Sequence, residues 1–272
     1  MRTAVTLCRV PEAAAGPFVF HDPLGDGFAK AAAAGFDDVE LFLPGPDEVP
    51  VAEIKSLQDQ HGLGIAAVGS GAGMVKHGLS LTDPDASRRD AALEFLLSMI
   101  EFGGQLGAPV ILGSMQGKWG GEVSRDEALG WLADALRVAG EAAGRHKVPF
   151  IYEPLNRYET NLINHQKAGA EWIEAESLGN IVLLADLFHM AIEEVDLAQA
   201  LRDAGRHVGH VHFADSNRHA MGFGHTDPES VVAALREIGY SASISAEIFP
   251  LPDADTAARQ TITSIRSLIP GA

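Results

Sequence analysis

Four strand-like runs in the second half of the chain each end on a residue that can carry a proton or bind a metal. Phe150-Ile-Tyr-Glu153 stops at Pro154, and Ile181-Val-Leu-Leu-Ala-Asp186 ends on an aspartate. Val208-Gly-His-Val-His212 ends on a histidine and Ser243-Ile-Ser-Ala-Glu247 on a glutamate. The four end residues are 33, 26 and 35 positions apart. Each interval is about one strand–helix unit, since a barrel of eight such units takes roughly 250 residues. A strand that ends in an acid and spills into a polar loop is how a (β/α)8 barrel sets a reactive group at its mouth. The chain has 272 residues, so one barrel domain over 1–272 is expected.

The first half supplies the other four strands: Thr3 to Arg9, Asp38 to Leu43, Gly64 to Val68 and Pro109 to Gly113. Helical patterns lie near 26–34, 50–61, 86–106, 125–146, 165–178, 194–205, 228–239 and 254–268. The pattern at 125–146 is the clearest. Ala128, Leu132, Ala135, Leu136, Ala139 and Ala143 form one stripe, with Asp134, Arg137 and Glu141 off it. Ala258, Ile262, Ile265 and Ile269 repeat the device in the last helix. Alternating strands and helices, with near-continuous apolar strands, mean a parallel sheet covered by helices. No Gly-x-Gly-x-x-Gly turn follows the first strand, which removes the main reason to prefer a doubly wound dinucleotide fold.

Strand side chains alternate faces. If Glu247 points into the barrel, so do Ser245 and Ser243. Asp186 takes Leu184 and Val182 with it, and His212 takes His210. Three carboxylates and one imidazole then converge on one rim, which is a hard divalent-metal site. Such carboxylates repel and are costly to bury unless a cation compensates them.

The formal charge of −17 argues against nucleic acid or an anionic membrane as partner. The one cysteine, Cys8, permits no internal disulfide, fits a cytoplasmic location and reads as a small core residue. The N-terminus runs straight into a strand and offers no signal peptide. No apolar run approaches the roughly 18 residues that span a bilayer.

At the strand ends the sequence resembles the xylose-isomerase-like sugar isomerases and epimerases, and within them the D-tagatose 3-epimerase group. The matching pieces are Glu153-Pro-Leu-Asn-Arg-Tyr-Glu159, Asp186-Leu-Phe-His189-Met, His212-Phe-Ala-Asp-Ser-Asn-Arg218, Gly222-Phe-Gly-His225 and Ala246-Glu247. The resemblance implies that Glu153, Asp186, His212 and Glu247 bind one divalent cation, Mn²⁺ or alternatively Co²⁺ or Mg²⁺. It implies that Glu153 and Glu247 form the acid/base pair, and that Glu159, His189 and Arg218 contact a small sugar or sugar acid. It also implies a homo-oligomer, dimer or tetramer. Met221 stands where the group often has a proline.

Epimerising a carbon beside a ketone needs one carboxylate to remove a proton and a second, opposite, to return one. Glu153 and Glu247 come from strands five and eight and can flank a substrate. His189 is expected in the loop leaving the sixth strand. His225 is a substrate-binding candidate because many barrels hold phosphate in the loop after strand seven, although Gly222-Phe-Gly224 could also serve only a tight turn. The expected substrate is an unphosphorylated keto-sugar acid or ketohexose, with the resemblance implying 5-keto-L-gluconate first; for a sugar acid, Arg157, Lys118, His77 and His225 are expected to supply positive donors at the far end. Trp119 is expected either to wall the pocket or to cap the barrel. The alternatives are an aldose–ketose isomerase of the hydroxypyruvate type, an endonuclease-IV-like phosphodiesterase, and a non-catalytic sugar-binding barrel.

Overall fold

The structure is a computed structural model that describes residues 1–269. Eight parallel strands close into one barrel in chain order. They are β1 (Arg2–Cys8), β2 (Asp38–Phe42), β3 (Gly64–Gly69), β4 (Val110–Leu112), β5 (Phe150–Tyr152), β6 (Ile181–Asp186), β7 (Val208–His212) and β8 (Ser243–Ala246). β8 pairs back onto β1, with Arg2 opposite Ser243 and Val5 opposite Ala246, so the sheet has no free edge.

The helices are α1 (Leu24–Ala34), α2 (Val51–His61), α3 (Ala72–His77), α4 (Ala86–Gln105) and α5 (Arg125–Arg145), then α6 (Gln166–Ala175), α7 (Leu187–Glu193), α8 (Leu197–Ala204), α9 (Pro228–Glu237) and α10 (Ala254–Leu268). Eight of them match the helical patterns of the sequence. The short α3 and α7 do not, because each is too brief to show a periodic stripe. The final residues of the predicted 1–272 domain, 270–272, lie outside the described residues.

Helix α5 shows why the pattern holds. Ser124 accepts from the Glu127 N–H while the Glu127 carboxylate accepts from the Ser124 N–H, a capping box that satisfies two free donors. Its buried face carries all six residues of the predicted stripe. Inside the barrel, Ala67, Ile111, Ile151 and Leu184 form a small apolar plug, with Val182 packed against it. That plug closes the barrel beneath the reactive strand ends. No helix of the described residues is long and apolar enough to cross a membrane.

Candidate active site

Each strand end is pinned before it presents its side chain. The Glu153 N–H donates to the Leu112 carbonyl (3.1 Å), extending the β4–β5 pairing by one residue. Gln116 then spans the same corner, donating to the Glu153 carbonyl (2.9 Å) and accepting from the Tyr152 hydroxyl (2.8 Å). A side chain at Gly113 would put its Cβ 2.6 Å from Glu153 Oε2, so glycine is what lets this carboxylate lie where it does.

Asp186 Oδ1 accepts from the N–H groups of Phe188 (2.8 Å) and His189 (3.3 Å), capping α7. This caps the helix that carries His189, which corrects the loop position expected for that residue. Asp186 Oδ2 is left for the site. It lies 3.3 Å from His212 Nδ1 and 3.3 Å from Arg218 Nη2. His212 Nδ1 is also 3.4 Å from Glu247 Oε2 and 3.9 Å from Glu153 Oε1. The four ligand-type atoms of Glu153, Asp186, His212 and Glu247 all lie within 4.8 Å of one another.

Glu153 Oε1 is buried with no hydrogen-bond partner. Native structures rarely leave such an atom unsatisfied. An orphaned carboxylate oxygen, two further carboxylates and an imidazole nitrogen aimed at one point fit a hard or borderline divalent cation.

Arg218 is the one lysine or arginine that lines the pocket among the described residues. Its Nη2 donates to Glu247 Oε2, and the guanidinium stacks over Phe188, 4.8 Å from the ring centre. Its backbone is left-handed (φ 60°), a conformation that costs a non-glycine residue energy. Hydrogen bonds from its N–H to the Asp215 carbonyl and to its own carbonyl from the Phe249 N–H hold it there.

Asp215 organises the whole loop after β7. One carboxylate oxygen accepts from the N–H groups of Ser216 (2.7 Å) and Thr226 (2.9 Å), the other from Gly222 (2.8 Å) and Gly224 (2.7 Å). Burial works against its charge, but these four donors hold its carboxyl below the usual range.

The ionisation of the two glutamates diverges. Burial pushes the Glu153 carboxyl well above its ordinary value. Burial acts on Glu247 too, but there the Arg218 guanidinium and His212 outweigh it and hold the carboxyl low. Asp186 is likewise kept low against burial by the charged groups around it, the Arg218 guanidinium among them.

His189 is buried and kept neutral by burial. The Asn156 amide nitrogen donates to its Nδ1 (2.7 Å), an orientation fixed because Asn156 Oδ1 accepts from the Tyr158 N–H (2.9 Å). The ring hydrogen therefore sits on Nε2, which faces Asp186 (3.7 Å) and Glu153 (3.8 Å). Glu159 is at the half-exposed rim, 3.8 Å from His189 Nδ1 and 3.9 Å from Arg218 Nη1.

Glu153, Glu159, His189, His212, Arg218 and Glu247 line a cavity of about 330 Å³, a size that suits a small molecule. Its opposite wall is apolar: Val10, Ala13, Pro17 and Phe18 from the loop after β1, with Phe42 and Val75. The sequence expectations did not include this wall, although the run 10–18, with Pro11, Pro17, three alanines and Phe18, carries a signal for it.

His225 is not brought to the pocket. It is exposed and lines a separate groove with Asp196, Arg202 and Ser216. Arg157 points outward onto Glu193 (Nη2 to Oε2, 2.8 Å), and Lys118 Nζ donates to the Tyr158 carbonyl (3.3 Å). His77 packs against Phe95, and Trp119 is held to Asn161 by its indole N–H (2.8 Å). The two loops after β4 and β5 thus tie to each other, with Lys118 and Trp119 outside the cavity.

The residues 28–268 match a family described as the xylose isomerase-like TIM barrel. The chain belongs to this family. An L-ribulose 3-epimerase of Methylomonas sp. (strain DH-1) is 32% identical over 243 residues, covering 88% of this chain and 83% of the relative. A D-psicose 3-epimerase of Ruminiclostridium cellulolyticum is 30% identical over 227 residues, covering 81% and 76%. The crystal structure of a D-allulose 3-epimerase from Methylomonas sp. in complex with D-allulose matches with a TM-score of 0.81 and 25% identity, over 98% of this chain and 96% of that one.

Proposed function

We propose that the chain is a divalent-metal-dependent epimerase of a small, unphosphorylated ketose, acting at the carbon next to the ketone. The observation that carries the reading is the convergence of Glu153, Asp186, His212 and Glu247 on one point, with a buried oxygen of Glu153 unpaired. Those four residues would hold the cation, with Mn²⁺, Co²⁺ and Mg²⁺ all compatible with the donor set. When bound, the cation supplies Lewis-acid stabilisation of negative charge on substrate oxygens.

The protein's own groups supply the proton transfers. One glutamate removes the proton beside the ketone to give an enediolate, and the other returns a proton on the opposite face. Arg218 donates to oxygen near the reacting carbons. The His189 Nε2–H offers a hydrogen bond to a substrate hydroxyl, and Glu159 accepts one at the rim. The names of the relatives, 3-epimerases of ketoses, support the same reaction class.

A neutral ketose is favoured over a keto-sugar acid of the 5-keto-L-gluconate kind. The four residues expected to meet the far carboxylate, Arg157, Lys118, His77 and His225, do not line the cavity. Arg218, the one lysine or arginine among the described residues that lines it, is already shared by Glu247 and Asp186. The test is comparative kcat/KM, with Mn²⁺, on D-psicose, L-ribulose, D-tagatose, 5-keto-L-gluconate and a ketose phosphate. A keto acid or phosphate preferred over every neutral ketose would overturn the substrate reading. Product analysis by NMR in D₂O separates epimerisation from the aldose–ketose isomerase alternative, because the latter moves the carbonyl. Assembly as a dimer or tetramer is proposed as well. Trp119, Tyr158, Phe223 and Leu251 are exposed on the loops around the mouth, and sedimentation analysis decides it.

A further inference from the structure

Beneath the four converging ligand atoms lies a second layer of buried charge that the reaction as described does not use. Glu40, on β2, is wholly buried. Its Oε1 is 3.0 Å from His212 Nε2 and its Oε2 is 2.6 Å from His210 Nε2. β2 and β7 are not neighbours, since β1 and β8 lie between them. The contact therefore crosses the inside of the barrel. A buried carboxylate is costly unless it is paired and hydrogen-bonded. Here both oxygens are met by imidazole, and among the described residues no lysine or arginine pairs with Glu40.

An ionised carboxylate only accepts hydrogen bonds, so each imidazole nitrogen facing it carries the hydrogen. For His212 that nitrogen is Nε2. Its other nitrogen, Nδ1, is the one lying among Asp186, Glu247 and Glu153. We propose that Glu40 is a positioning residue, which selects Nδ1 of His212 as the metal-ligating atom and fixes the ring, while His210 holds the second oxygen of Glu40 in place. The inference rests on the metal-centre reading above. His210 contributes through packing as well: its ring stands edge-on to His212, with centroids 5.4 Å apart and planes at 82°. A ring that stays put between two fixed partners presents its lone pair without reorganisation, which is how outer partners raise metal affinity.

The variant that isolates this role is Glu40→Gln. It keeps the shape but replaces one acceptor by a donor, so it cannot accept from both rings. Calorimetric titration of the purified protein with Mn²⁺ is expected to show binding weakened by about 10–100-fold, the usual effect of losing an outer-shell partner. The complementary measurement needs no variant. NMR of Cd²⁺-loaded wild-type protein carrying isotope-labelled histidine should show metal–nitrogen coupling to His212 Nδ1. Coupling to Nε2 instead, or a folded Glu40→Gln with wild-type Mn²⁺ affinity, overturns the inference while leaving the metal site standing. If Glu40→Gln fails to fold by circular dichroism, the identity of the coupled nitrogen in the wild type decides alone. Wild-type protein that binds neither ion would remove the metal-centre reading itself, and this inference with it.

Discussion

Asp186 caps the helix that carries His189, through one oxygen, and offers the other oxygen to the site. A single carboxylate thereby fixes the spacing between a proposed ligand and a proposed substrate contact. The partial positive charge at the start of α7 also favours the ionised form of Asp186. Replacing it by Asn keeps a capping oxygen, since Asn is as good an N-cap as Asp. Asp186→Asn is therefore expected to leave thermal stability nearly unchanged while sharply lowering Mn²⁺ affinity, read by unfolding scans and calorimetry on the same sample. A large loss of stability with metal affinity intact would reverse the assignment.

The glutamate pair gives the most direct test of chemistry. Glu153→Gln and Glu247→Gln are each expected to lower epimerisation by at least about 10²–10⁴-fold, the range general acid–base groups supply. Both should also stop solvent deuterium entering the substrate in D₂O. Retained exchange in a variant that still binds metal would mean the residue is a ligand only.

Metal binding should depend on pH in a defined direction. Burial raises the Glu153 carboxyl above its ordinary value of 4.5 in the metal-free protein, and a proton competes with a cation for the same oxygens. Mn²⁺ affinity is thus expected to rise with pH, and the rise to extend above the ordinary carboxylate range. Titrations in buffers of different ionisation enthalpy should show proton release on binding. Affinity that is flat above pH 5 would contradict the raised carboxyl.

Cys8 makes a simple check on the core. Burial pushes its thiol up to about 11, and its side chain packs with Val10, Phe18 and Phe42. The thiolate is the reactive form, so a thiol reagent at pH 8 should label the native protein slowly and the denatured protein at once. Rapid labelling of native protein would show that the Val10–Phe18 wall opens.

Asp215→Asn should loosen the loop that carries Arg218. An amide offers one acceptor oxygen in place of two and turns a donor toward backbone N–H groups. The expected cost is about 1–3 kcal/mol for the unsatisfied buried group. If Arg218 acts on the substrate as proposed, KM should rise with it. A variant of unchanged stability and KM would show that the four contacts are incidental.

The barrel is legible in the sequence because it rests on periodicity. The spacing of Glu153, Asp186, His212 and Glu247 reports one unit each, and alternation along β6, β7 and β8 reports a common face. Glu40 escapes the same logic. Alternation gives it a face of Asp38-Val-Glu-Leu-Phe42, shared with Asp38, but its partners His210 and His212 lie some 170 residues away. Short α7 escapes because Asp186 reads equally well as a strand end and as a helix cap. Loop cations escape for a different reason. Nothing in local sequence tells whether Arg157 turns to the cavity or to Glu193, because that choice depends on where α7 places the acid.

The loop after β7 has one more consequence. In many barrels this is where backbone N–H groups gather around a bound phosphate. Here the N–H groups of Ser216, Gly222, Gly224 and Thr226 are already turned onto the Asp215 carboxylate. The chain supplies its own internal anion, so the loop is ordered without any guest and need not collapse when product departs. A sugar phosphate arriving at this rim would meet a seat already taken, by a group that carries the same sign of charge and cannot diffuse away.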